Sequence, residues 1–177
     1  MNAPLADSRG HLADLIAACQ RCAWHLDATA RRIDWPLTPG VLEQRQMDIG
    51  LFEPLAALNE RFAKLQDLLS TSMRHLCELC GERSDTFLRV LAFCEKAGIV
   101  PSMDAWQAAR SLRNRAAHDY GIDFASTTAH FNALRDQIPL LTEVTLALGD
   151  YAGRALGIEP ADRRFVEALR RASQSGS

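Results

Sequence analysis

The sequence predicts an all-α protein, an antiparallel (up-and-down) bundle of about five helices. Three observations predict it. Apolar residues recur at steps of three and four over long stretches, the period of a helix that buries one face. Sustained two-residue alternation is absent, and so are Asn-Gly and Asp-Gly hairpin pairs. Short turns rich in Gly and Pro separate the periodic stretches, which favours long helices packed side by side in alternating directions.

From about Ser8 to Ile33 one stripe is formed by Leu12, Leu15, Ile16, Cys19, Cys22, Ala23, Leu26, Ala30 and Ile33. The stretch from Trp35 to Gly40 interrupts it. There Thr38 precedes Pro39, a cap followed by proline at the first helical position, so a short helix restarts. The longest stripe runs from about Leu51 to Cys80 through Leu55, Leu58, Phe62, Leu65, Leu69, Met73 and Leu76. Pro54 is expected in its first turn, where proline is tolerated, and Gly81 ends it. Ser84 or Asp85 is the expected cap of the next helix, which carries Phe87, Leu88, Val90, Leu91 and Phe93 and stops at Gly98.

Ile99-Val100-Pro101 is expected to be extended, because the residue before proline avoids the helical region. Ser102 then caps a helix with Asp104 in its first turn, running to about His118. Gly121-Ile122-Asp123 is a turn. A last long helix runs from about Ala125 to Leu156, with Pro139 the place for a bend. Residues 1–157 therefore make the bundle. Residues 158–177 make a short basic helix, Arg163 to Arg171, and a flexible tail from Ala172.

Composition narrows the function classes. The chain has 177 residues, 47% of them hydrophobic and 24% charged, enough apolar material for one real core and too much for a disordered chain. No apolar run approaches the ~20 residues that span a bilayer. The first ten residues lack a basic segment followed by an apolar one, so the expected compartment is the cytoplasm, away from membranes. A net charge of −2 argues against a bulk polyanion binder. Contact with nucleic acid must come from a local patch or from an assembled oligomer. Of the 20 basic residues only Lys64 and Lys96 are lysine, so that patch would be made of arginine, whose planar fork suits phosphate.

Five cysteines are present, four of them in pairs, Cys19/Cys22 and Cys77/Cys80. Two such pairs have the spacing of a tetrahedral zinc site. However, both lie on helical apolar stripes and not on turns, so they read as core thiols, as does Cys94. No metal and no cofactor is expected.

The strongest local signal is the run from Arg110 to Gly121, with Arg110, Arg113, Asn114, Arg115, His118 and Tyr120. Arg110, Asn114 and His118 are spaced by four and share a helix face. Arg113 precedes His118 by five positions, about 140° away on an ideal helix. His118 is able to exchange a proton near neutral pH. Arg113 stays charged and grips phosphate, helped by Arg110 and Arg115. Asn114 would orient the ring or the phosphate. These are the parts for RNA cleavage by attack of a 2′-hydroxyl on its neighbouring phosphorus. The bland alternative is a solvated arginine-rich face with His118 as a C-terminal cap.

The segment Leu112 to Asp123 resembles the signature of the HEPN superfamily, Arg, four residues, His, any residue, Tyr. It looks most like the HepT-type toxins paired with minimal nucleotidyltransferase (MNT) antitoxins. Arg113, Asn114, His118 and Tyr120 match that pattern, and Gly98 to Pro101 with Trp106 resembles the lead-in. The match covers about residues 98–145. The resemblance implies a metal-independent endoribonuclease toxin that cuts tRNA or mRNA. Arg113 and His118 would be catalytic and Asn114 and Tyr120 supporting, with the site at a homodimer interface. It also implies a cognate MNT-type antitoxin that adds AMP to Tyr120. Some members of the superfamily are non-catalytic binding subunits, which keeps an interaction module open as the alternative.

Overall fold

A computed structural model describes residues 3–116, 123–160 and 162–175. Among the described residues the chain is all α, with seven helices and no strand. The order is α1 (Ala3–Ala30), α2 (Pro39–Gln44), α3 (Ile49–Leu79), α4 (Phe87–Lys96), α5 (Met103–Ala116), α6 (Phe124–Leu156) and α7 (Arg163–Ser175). None of these helices is long and apolar enough to cross a membrane.

Three long helices make the core. α1 and α3 run antiparallel. His75, near the end of α3, bonds the carbonyl of Ser8 at 2.9 Å, while Arg61, about four turns earlier, donates to Thr29 at the end of α1. α6 runs alongside α3 in the same direction, with His130 3.3 Å from Asn59. Its far end returns to the start of α1, where Arg9 donates to the carbonyl of Leu156. Between them lie Leu12, Cys19 and Leu26 of α1, Phe62, Leu65, Leu69 and Met73 of α3, and Leu134, Leu141 and Leu148 of α6, all essentially buried. The expected stripes are those that fill the core, because a helix held on one side must place its apolar residues there. α7 lies across α1 and α6, with Leu169 fully buried and Phe165 edge-on to Trp24.

Differences from the sequence expectation have local causes. The cap of α4 is Thr86, whose hydroxyl accepts the N–H of Arg89 at 3.4 Å. The expected caps are engaged elsewhere, Ser84 with Glu78 at 3.0 Å and Asp85 with Arg83 and Arg89. Leu88 is exposed, on the flank of the face that Val90, Leu91 and Cys94 bury. α1 begins at Ala3, ahead of Ser8, and α7 continues through Ser175, into the stretch expected to be a tail. α3 begins at Ile49, so Pro54 falls in its second turn and not its first. α6 passes through Pro139 without a break in the helix. Pro139 and Arg135 are both exposed, so the carbonyl that loses its N–H partner faces water.

The cysteines pack as core side chains. Cys19, Cys77 and Cys94 are fully buried, and all five thiols are free. Burial pushes the thiols of Cys19 and Cys94 up to about 12. The two pairs face different neighbours, Cys19 against Ser72 at 3.4 Å and Cys77 against the carbonyl of Arg83 at 3.5 Å. Among the described residues no cluster of three or more His, Cys, Asp or Glu is placed to hold a metal ion.

Candidate functional site

Two turns set the stage for α5. Gly81, at φ 73°, ends α3, and Gly98, at φ 71°, ends α4. That left-handed conformation is open to glycine without steric cost. The chain then crosses Ile99 and Val100, both buried, and Ser102 starts α5 by accepting the N–H of Ala105 at 3.0 Å. α5 is thereby laid along α3, running against it, with its last described side chain, Arg113, beside Asp67.

A cleft of about 280 Å³ opens between these two helices. α3 lines it with Gln66, Ser70 and Arg74, four residues apart, and with Asp67 and Thr71 one position on. α5 lines it with Trp106, Arg110 and Arg113. Both sets follow the helical repeat, so each helix offers the cleft one continuous face. Phe87, the first residue of α4, closes one end.

The polar groups fall into three layers. At the rim, Arg113 Nη2 donates to Asp67 Oδ2 at 2.8 Å, and their side chains are 34% and 53% exposed. Arg110 lies over the Phe87 ring, its guanidinium carbon 5.7 Å from the centroid. Arg74 donates to the backbone carbonyl of Ser84. Along the wall, Ser70 and Thr71 donate back to the carbonyls of Gln66 and Asp67 at 2.8 and 2.9 Å, which leaves their oxygens free to accept. On the floor are Gln66, 2% exposed, and Trp106, fully buried. Neither amide atom of Gln66 has a hydrogen-bond partner among the described residues, and neither does Trp106 Nε1. Three guanidiniums against one carboxylate give the cleft a local positive excess on an acidic chain.

The structure thus brings Arg110 and Arg113 into one cleft. The side chains of Asn114 and Arg115, and His118 and Tyr120 altogether, lie outside the described residues. Sequence reasoning missed the α3 side of the cleft, Gln66, Asp67 and Arg74, and its aromatic end, Phe87. Gln66, Ser70 and Arg74 are spaced by four along α3, but polar residues beside a core stripe do not by themselves mark a cleft in the sequence. A second groove, between α1 and α7, is lined by Trp24, Asp27, Arg31 and Arg171, and its Arg31 is paired with Asp27 at 2.7 Å.

Comparisons with protein-family models, with curated proteins and with solved structures find nothing that matches this chain.

Proposed function

We propose that the chain is a HEPN-type, metal-independent endoribonuclease, the toxin of a HEPN–MNT pair. The observation that carries this reading is the run Arg113-Asn114-x3-His118-x-Tyr120 in the sequence, with Arg113 and Arg110 of α5 lining one positive cleft. In this reading His118 takes the proton of an RNA 2′-hydroxyl. The oxygen attacks the adjacent phosphorus, a new O–P bond forms, the bond to the 5′-oxygen breaks, and that oxygen leaves as a hydroxyl with the proton given back by the imidazolium. Arg113 holds the phosphate and balances the charge that builds on its oxygens. Arg110 and Arg115 bind neighbouring phosphates, Asn114 orients the reacting groups, and Tyr120 contacts RNA or receives AMP from the antitoxin.

A single Arg113 and His118, about 140° apart on an ideal helix, grip a phosphate poorly from two sides. A homodimer supplies the second pair across one groove, with a total interface above ~1,000 Å². Ala116 and Ala117 would let the two α5 helices approach. Ultracentrifugation at micromolar concentration is expected to give twice the monomer mass, and a strict monomer removes the shared groove.

The test of the activity is expression of wild type and His118→Ala in bacteria, followed by growth and mapping of RNA ends. Wild type is expected to arrest growth and cut RNA, and His118→Ala to do neither while staying folded. Intact RNA in arrested or unaffected wild-type cells, with the antitoxin absent, rejects the nuclease. One observation favours a second reading, a non-catalytic module that serves as accessory subunit of a nucleotidyltransferase. Arg113 is already paired with Asp67, which leaves it fewer donors for a phosphate.

A further inference from the structure

Buried polar groups without partners are uncommon in folded proteins, because each forfeits its hydrogen bonds to water and gains none in return. Gln66 and Trp106 sit together on the floor of one cleft and leave three such atoms, two donors and one acceptor. An apolar residue would fill either place at no such penalty. The cost is understandable if something else completes the set.

The cleft states what that would be. An amide offers a donor and an acceptor side by side in one plane, the complement of the edge of a nucleobase. The indole N–H of Trp106 adds a second donor. Phe87, 6.4 Å from the Trp106 ring, supplies an aromatic wall. Arg110 and Arg113, on the same face of α5 as Trp106, place two guanidiniums at the rim above them. A flat hydrogen-bonding edge below and a phosphate above are the two halves of a nucleotide. The volume, about 280 Å³, is at the small end of small-molecule sites (~300–1,000 Å³), which suits one nucleotide and not a folded segment. The exposed Arg113–Asp67 pair is weak enough to exchange its carboxylate for a phosphate.

We infer that the α3–α5 cleft is a base-reading subsite, in which Gln66 and Trp106 hydrogen-bond the edge of one nucleobase while Arg110 and Arg113 hold the phosphate attached to it. This rests on the ribonuclease reading and adds that cleavage is selective for the nucleotide at one position, with Gln66 as its specificity-determining residue.

The experiment is calorimetric titration of the full chain with the four ribonucleoside 3′-monophosphates, with ribose 5-phosphate and with inorganic phosphate. At least one nucleotide is expected to bind about tenfold tighter than ribose 5-phosphate, the worth of one or two hydrogen bonds. Gln66→Leu is expected to erase that margin while raising Tm by roughly 2–4 °C, because it removes a buried amide that nothing satisfies. Trp106→Phe keeps the ring and removes only the N–H, so it is expected to narrow the margin in a folded protein. Arg113→Gln is expected to weaken nucleotide and ribose 5-phosphate alike. Nucleotides that bind no better than ribose 5-phosphate overturn the inference. So does a Gln66→Leu protein that keeps the preference or melts lower than wild type. None of these titrations needs catalysis. Base-selective binding in a protein that cuts no RNA leaves the subsite and rejects the nuclease, whereas RNA cut at unchanged positions by Gln66→Leu rejects the subsite and leaves the nuclease.

Discussion

Replacing Asp67 by Asn tests whether Arg113 is the phosphate ligand of the cleft. Asp67 and Arg113 are 2.8 Å apart, and their side chains are 53% and 34% exposed. Pairs this open contribute about 0.2–1 kcal/mol, so the stability loss is expected to stay below about 4 °C in Tm. The effect on RNA has the opposite sign. A phosphate on Arg113 would stand roughly 6 Å from the Asp67 carboxylate, where two like charges in water repel by about 0.7 kcal/mol, and by about twice that in a half-screened cleft. Removing the carboxylate is therefore expected to tighten RNA binding by roughly three- to tenfold. The assay is fluorescence anisotropy of a labelled RNA oligomer, with His118→Ala in both proteins to prevent cleavage. The gain is expected to fade toward 1 M salt, where charges are screened beyond about 3 Å. Binding that is unchanged or weaker in Asp67→Asn at low salt refutes the assignment, since Asp67 would then be no competitor for Arg113.

At pH 8 the thiols of Cys19 and Cys94, pushed up to about 12 from an ordinary value of 9.0, hold about a thousandfold less thiolate than a free cysteine. Mass spectrometry after alkylation of the native protein is expected to show both unmodified until the chain is unfolded. Arg45, Ser126 and Arg164 hold the carboxyls of Asp48, Asp123 and Asp162 below the usual 3.8. Groups depressed in the fold stabilise it above that value and lose the contribution as pH falls through their folded pKa. Acid titration followed by circular dichroism is accordingly expected to show stability declining below about pH 4, with the decline reduced in Asp123→Asn. Leu69→Ala, at a fully buried site on α3, is expected to cost about 2–5 kcal/mol in urea unfolding.

What the sequence revealed of this fold follows from what repeats. Leu55, Leu58, Phe62, Leu65 and Leu69 declare one face of α3 at every turn, and a misplaced residue or two does not hide the period. Single choices are less legible. Ser84, Asp85 and Thr86 are three capping types in a row, and only the side contacts of Ser84 and Asp85 leave Thr86 to cap. Leu88 is apolar yet exposed, and no pattern in a helix of ten residues separates it from Leu91. The α5 side of the cleft was readable, since Arg110 and Arg113 are chemically conspicuous. The α3 side was not. Gln66 stands next to Leu65 like any polar neighbour of a core residue, and its burial depends on α5, more than 35 positions away.

The corner between α3 and α4 also bears on the entropy of binding. It supplies the Ser84 carbonyl that holds Arg74 and the Phe87 ring that holds Arg110. Two long side chains thus have partners that restrict them before any ligand arrives. Freezing each at the moment of binding would otherwise cost about 0.5–1.5 kcal/mol. A glycine-rich insertion at residues 82–85 would leave every cleft residue in the sequence and still return that cost to the binding step.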